Sequence, residues 1–151
     1  MIYTIIGLTL FITDGIIKLF VEKKGKEGVE RPILGGKLLL RKYHNTGAML
    51  GIGATNPKWT AFVSIIFTVF MSGVYVATLG MKGKRILKTG LALLLGGAYS
   101  NTYDRLRRKY VVDYVSFGMK KSRLKNVIFN ISDFGIIIGA ALFSIGELLS
   151  E

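Results

Sequence analysis

The chain has 151 residues, half of them apolar, with 21 Lys and Arg against 9 Asp and Glu, one His and no Cys. That length suits one domain, the missing Cys excludes disulfides, thiolate catalysis and most soft-metal sites, and a lone His44 argues against an all-protein zinc site. The formal charge of +12 invites a nucleic-acid partner, but no recognition motif accompanies it. Its Lys and Arg fall between apolar blocks, where anionic membrane phospholipids are the simpler attraction.

The apolar residues gather into four blocks, each near the roughly 20 residues that a helix needs to cross a bilayer. The pattern predicts an all-α membrane protein of four transmembrane helices, residues 1–151 forming a single integral membrane domain. The first span covers about 1–21. It lacks a basic leader and a small-residue cleavage site, so it is expected to be retained rather than removed as a signal peptide. The connection from Glu22 to Lys58 is rich in Gly and holds an apolar and basic stretch, Leu38 to Tyr43. It predicts a short sheet or hairpin on the membrane surface, a small β-like cradle between helices 1 and 2. The second span covers about 59–80 and ends in a tight basic turn, Met81 to Arg85. The third covers about 86–104, and the connection after it carries the β-branched and aromatic run Val111 to Phe117, expected to be irregular or strand-like. The fourth span covers about 126–150.

An even number of spans places both termini on one side. The 22–58 and 105–125 connections each hold eight Lys and Arg, and the turn 81–88 holds four. A plain count therefore puts the two long connections in the cytoplasm and the termini outside.

A charge near the bilayer centre costs about 2.5 to 3.5 kcal/mol on insertion scales, so each intramembrane ionisable group needs a reason. Asp14 and Lys18 lie one turn apart and can pair, either as a mutual salt bridge that orients the first helix or in a functional role. In the third span, Gly96, Ser100 and Asp104 share one stripe and Gly97, Asn101 and Arg105 the next. The glycines suit close packing, and Asn101, Asp104 and Arg105 together resemble a polar network at the mouth of a site. In the fourth span Asn130 and Asp133 are three apart and share a face, with Asp133 expected about two turns inside the helix. Asp113 lies in the preceding loop among Val111, Val112, Tyr114 and Val115, which disfavour a lone carboxylate.

The ends of a helix hairpin approach one another, so Asp113 and Asp133 can converge. Two carboxylates in a poorly hydrated place share a proton. One member then deprotonates a water while the other donates to a scissile carbonyl, an acid and base pair suited to hydrolysis. From these residues alone, structural or ion-pathway carboxylates of a small transporter remain open. A relay predicts carboxylates spread through the membrane depth, whereas hydrolysis predicts them converging near one face.

The ordered motifs resemble lipoprotein signal peptidase, also called signal peptidase II. Asp14 and Lys18 resemble that family's Asp-Gln-x-x-Lys element, with Gly15 where Gln is usual. His44-Asn45-Thr46-Gly47-Ala48 resembles its Asn-x-Gly-Ala segment, with Met49 and Leu50 in place of the more usual Ala and Phe. Gly96 to Arg105 resembles Gly-Gly-Ala-x-Gly-Asn-x-x-Asp-Arg, with Ser100 for a Gly. Val112-Asp113-Tyr114 and Phe129-Asn130-Ile131-Ser132-Asp133 resemble its Val-x-Asp-Phe and Phe-Asn-x-Ala-Asp regions.

The resemblance implies an intramembrane aspartic endopeptidase that removes signal peptides from diacylglyceryl-modified prolipoproteins by cutting just before the lipidated Cys. It implies Asp113 and Asp133 as the catalytic dyad, Asn45, Asn101, Arg105 and Asn130 as substrate-binding or site-ordering residues, and Asp14 as support. It further implies no metal or other cofactor, inhibition by the cyclic peptide globomycin, and a monomer in the bacterial plasma membrane. A divergent paralogue that binds or cuts another lipidated peptide is the alternative within the fold. The Met49 and Leu50 departures bear on the wall of the substrate cradle. The resemblance places the termini in the cytoplasm and the site near the outer face, against the charge count.

Overall fold

The computed structural model describes residues 1–47, 56–118 and 127–149. Four helices run over Ile2–Lys24 (α1), Pro57–Leu79 (α2), Arg85–Arg108 (α3) and Ile131–Leu148 (α4). Local chemistry sets several of their ends. Asn56 caps α2 by accepting the Trp59 N–H at 3.1 Å, and Pro57 stands at a position whose N–H has no helical partner. Lys109 closes α3 in the left-handed region, φ 73°, returning its N–H to the Arg105 carbonyl.

The helices are arranged inside out relative to a water-soluble bundle. In α1 the two buried side chains are Asp14 and Lys18, whereas Ile5, Leu8, Ile12 and Ile16 stand exposed. In α4 the buried residues are Ser132, Gly135, Gly139 and Gly146. Lipid tails are as apolar as leucine, so outward apolar surface carries no penalty and packing falls to small and polar contacts. α1, α2 and α4 are long and apolar enough to cross a membrane. α3 is comparably long but less apolar, and it occupies the centre, with Leu87, Leu91, Leu94 and Leu95 joining Met71 of α2 in the apolar core.

Glycine lets α3 meet its neighbours backbone to backbone. A Cβ at Gly96 would strike the Gly7 carbonyl of α1, and one at Gly139 of α4 would strike the Gly90 carbonyl and the Leu94 nitrogen of α3. The two stripes expected on the third span therefore face different partners: Gly96, Ser100 and Asp104 turn to α1, and Gly97 and Asn101 to α4.

The connections form one antiparallel sheet in the order β1 (Arg31–Ile33), β2 (Leu38–Asn45), β3 (Val111–Phe117), β4 (Ile128–Phe129). The sheet is not confined to the connection between α1 and α2, since β3 and β4 come from the one between α3 and α4. The expected helix start near 126 is displaced for the same reason. Ile128 and Phe129 look helical by apolarity but pair with Ser116 and Val115 of β3, so α4 begins at Ile131. Met49 and Leu50, whose departures from the family pattern bear on the wall of a substrate cradle, lie outside the described residues, as does Ala48.

Candidate active site

Asp113 is held in the middle of β3, opposite Tyr43 of β2. One of its oxygens accepts the Asn130 side-chain amide at 2.8 Å and the other accepts the Asn45 amide at 2.9 Å. Burial, followed by the charge of nearby Asp133, pushes the Asp113 carboxyl up to about 7, while the two amides draw it back toward the ionised form.

Asp133 is half-buried and lies in the first turn of α4 rather than two turns inside it. Asn130 caps that helix through its side-chain oxygen, which accepts the Asp133 N–H at 2.9 Å. Asp133 Oδ2 in return accepts the Asn130 backbone N–H at 3.0 Å, a reciprocal capping box. The spacing of three that suggested a shared face is the spacing of a cap. Oδ1 of Asp133 accepts from the Asn101 amide at 2.8 Å. Asn130 thus touches both carboxylates, and Asn45, Asn101, Asn130, Asp113 and Asp133 gather in one place.

Arg105 reaches the same region, donating to the Gly47 carbonyl at 3.1 Å, and its buried Nε has no hydrogen-bond partner among the described residues. Asp104 does not join Asn101 and Arg105. One residue is about 100° around a helix, and Asp104 turns instead to Lys18 at 3.1 Å and to the Val112 N–H at 3.3 Å.

Asp14 lies one layer behind. It accepts from Lys18 at 2.7 Å, Ser100 at 2.6 Å, Ser132 at 2.7 Å and the Tyr114 hydroxyl at 2.8 Å, and is fully buried. Lys18 also donates to the Asn101 oxygen at 2.8 Å, joining this layer to the one that holds Asp133. Burial, with the Asp14 charge beside it, raises the Tyr114 phenol, so Tyr114 stays a donor to Asp14 while accepting the Ile131 N–H at 3.1 Å. The parts played by Ser132 and Tyr114 were not expected. Alternation along Val111–Phe117 would have placed Tyr114 opposite in facing to Asp113, but nothing local named its partner.

The residues 6–149 match the family model described as signal peptidase (SPase) II. The chain is 35% identical to the lipoprotein signal peptidase of Shouchella clausii (strain KSM-K16), covering 96% of this chain and 91% of that one. It is likewise 35% identical to the lipoprotein signal peptidase of Bacillus subtilis (strain 168), covering 100% and 96%. Two solved structures, described as bacterial membrane enzymes determined by the in meso method at 2.3 and 1.9 Å resolution, share the fold with TM-scores of 0.82 and 0.81 at 24% identity. They cover 97% and 99% of this chain, and it covers 87% and 94% of theirs. With outward apolar helices, a buried polar centre and a match along nearly the whole chain, the protein belongs to the signal peptidase II family and is a multi-pass membrane protease.

Proposed function

We propose that the chain removes signal peptides from diacylglyceryl-modified lipoprotein precursors, cutting before the lipidated Cys, with Asp113 and Asp133 as acid and base. The observation that carries this reading is Asn130, whose side chain and backbone bond both carboxylates at once. Asp113, the more enclosed and pushed up to about 7, holds the shared proton. Asp133, half-open, faces the attacking water.

The water oxygen bonds to the scissile carbonyl carbon while its proton passes to Asp133 and the Asp113 proton passes to the carbonyl oxygen. Collapse of the resulting gem-diol breaks the carbon–nitrogen bond. The leaving nitrogen takes the proton from Asp133, and a gem-diol hydroxyl returns one to Asp113. Arg105, which reaches this region through its bond to the Gly47 carbonyl, would hold a substrate carbonyl. Every group comes from one chain, which suits a monomer. A globomycin-type cyclic peptide would compete for the same place, and the basic connections would gather anionic phospholipid headgroups. An ion relay fits less well, since Asp14, Lys18 and Asp104 satisfy one another.

The test is cleavage of a diacylglyceryl-modified precursor by the purified chain across pH. Loss of the shared proton removes the acid, so kcat should fall as pH rises through about 7. No cleavage of that substrate at any pH overturns the proposed activity, and a rate still rising well above that range overturns the assignment of Asp113 as proton donor.

We further propose that α3 crosses the bacterial plasma membrane with the other three helices, and that the sheet and site lie at the outer face, where exported precursors arrive. The charge count opposes this, but it is least informative for long folded connections. In this cysteine-free chain, a Cys replacing Lys24 should react with an impermeant reagent in intact cells and one replacing Gly83 should not. The reverse pattern overturns the orientation.

A further inference from the structure

The face of β2 turned away from Asp113 carries a second polar cluster that the proposed chemistry does not use. Glu22, in the last turn of α1, lies 3.3 Å from Lys42 Nζ, 3.0 Å from His44 Nε2 and 3.2 Å from the Tyr110 hydroxyl. Its backbone carbonyl accepts a further bond from Lys42 Nζ at 2.9 Å. The His44 ring stacks on Tyr110 with centroids 4.0 Å apart, and its other nitrogen lies 3.1 Å from a Glu27 carboxylate oxygen. A neutral imidazole carries one N–H, so only the imidazolium donates to both carboxylates together. The cluster ties the end of α1, the end of β2 and the turn between α3 and β3.

The residue after His44 is Asn45, whose amide bonds Asp113. β2 has one residue more than β3 between Leu40 and Tyr43, where the register slips. The pairing beyond that bulge is short, from Tyr43 to Asn45, and the ends of short ladders open readily unless tied. We infer that His44 is a positioning residue. Clamped between Glu22 and Glu27 and backed by Tyr110, it fixes the end of β2 so that Asn45 presents its amide to Asp113. The inference rests on the reading of Asp113 as catalytic.

The experiment measures kcat and KM of purified variants on a diacylglyceryl-modified precursor. Asn45→Ala should lose about tenfold in kcat, since Asp113 keeps its second amide from Asn130. His44→Ala should lose about the same, with KM changed less than about twofold, as expected when geometry at the reacting atoms is disturbed but binding is not. In the Asn45→Ala background, His44→Ala should cost nothing further, because the group that it positions is gone. An equal loss in both backgrounds, or none in either, overturns the inference. Should His44→Ala fail to insert, Glu27→Gln removes only one partner of the ring from a side chain that is 66% exposed. It should lower kcat about threefold, and an unchanged kcat overturns the inference. Full processing by Asp113→Asn would instead remove the reading of the dyad, whatever His44 does.

Discussion

Replacing either Asp113 or Asp133 by Asn should leave a lipoprotein precursor at full length in cells that lack their own lipoprotein signal peptidase, while the unchanged chain shortens it. Removal of a positioned acid or base costs about 10²- to 10⁴-fold in rate, or about 3 to 5 kcal/mol in barrier height. Each variant should lose something besides the chemistry. Asp113 accepts the Asn45 amide on one oxygen and the Asn130 amide on the other, so an amide in its place keeps one of these bonds and loses the other, at about 1 kcal/mol of stability. Asp133 also completes a helix cap, and an amide cannot accept on both of its former oxygens, so Asp133→Asn should lose about 1 kcal/mol of stability as well. Thermal unfolding in detergent separates this loss from the chemical one. Processing at the unaltered rate by either variant would remove that residue from the dyad.

The largest loss of stability is expected at Lys18. Its ammonium serves Asp14, Asp104, Ser100 and Asn101 and is 1% exposed. Lys18→Met preserves most of the volume but leaves Asp14 buried without its cation and Asp104 with only Arg108, 3.5 Å away. Breaking a buried pair from one side costs about 3 to 5 kcal/mol, enough to unfold a marginal domain. The variant should therefore unfold far below the unaltered chain or fail to accumulate in the membrane. Lys18→Met combined with Asp14→Asn and Asp104→Asn should recover part of the loss. A single Lys18→Met chain that unfolds at the original temperature would show that the cation contributes nothing net.

Much of this arrangement was legible before any coordinates. Apolar runs of membrane length marked α1, α2 and α4, because outside water the sequence need not alternate to declare a helix. Asp14 and Lys18 were legible as a pair because four residues bring side chains to one face. The stripes through Gly96 and Gly97 were legible for the same reason, although their partners were not. The start of α4 was misplaced because Ile128 and Phe129 carry the same apolar signal in a strand as in a helix, and only the partner strand β3 decides between them. That error moved Asp133 by about a turn and disguised a cap as a shared face. Tyr114, Ser132 and the partners of His44 stayed hidden because their contacts span 17 to 118 positions of chain, and no local pattern encodes them.

The cap on α4 also sets a depth. The first N–H groups of a helix have no partner within it, and Asn130 satisfies one of them, so in the orientation proposed above α4 would start at the outer rim of the membrane. Asp133 is part of that cap, and as the base proposed above it would require its substrate to present the reacting bond at the same level. On the proposed reading the enzyme is a ruler. A signal peptide whose apolar stretch fills the membrane would be cut where that stretch surfaces, next to a lipid-bearing residue whose chains lie alongside, and lengthening the stretch would move the bond out of register with the blade.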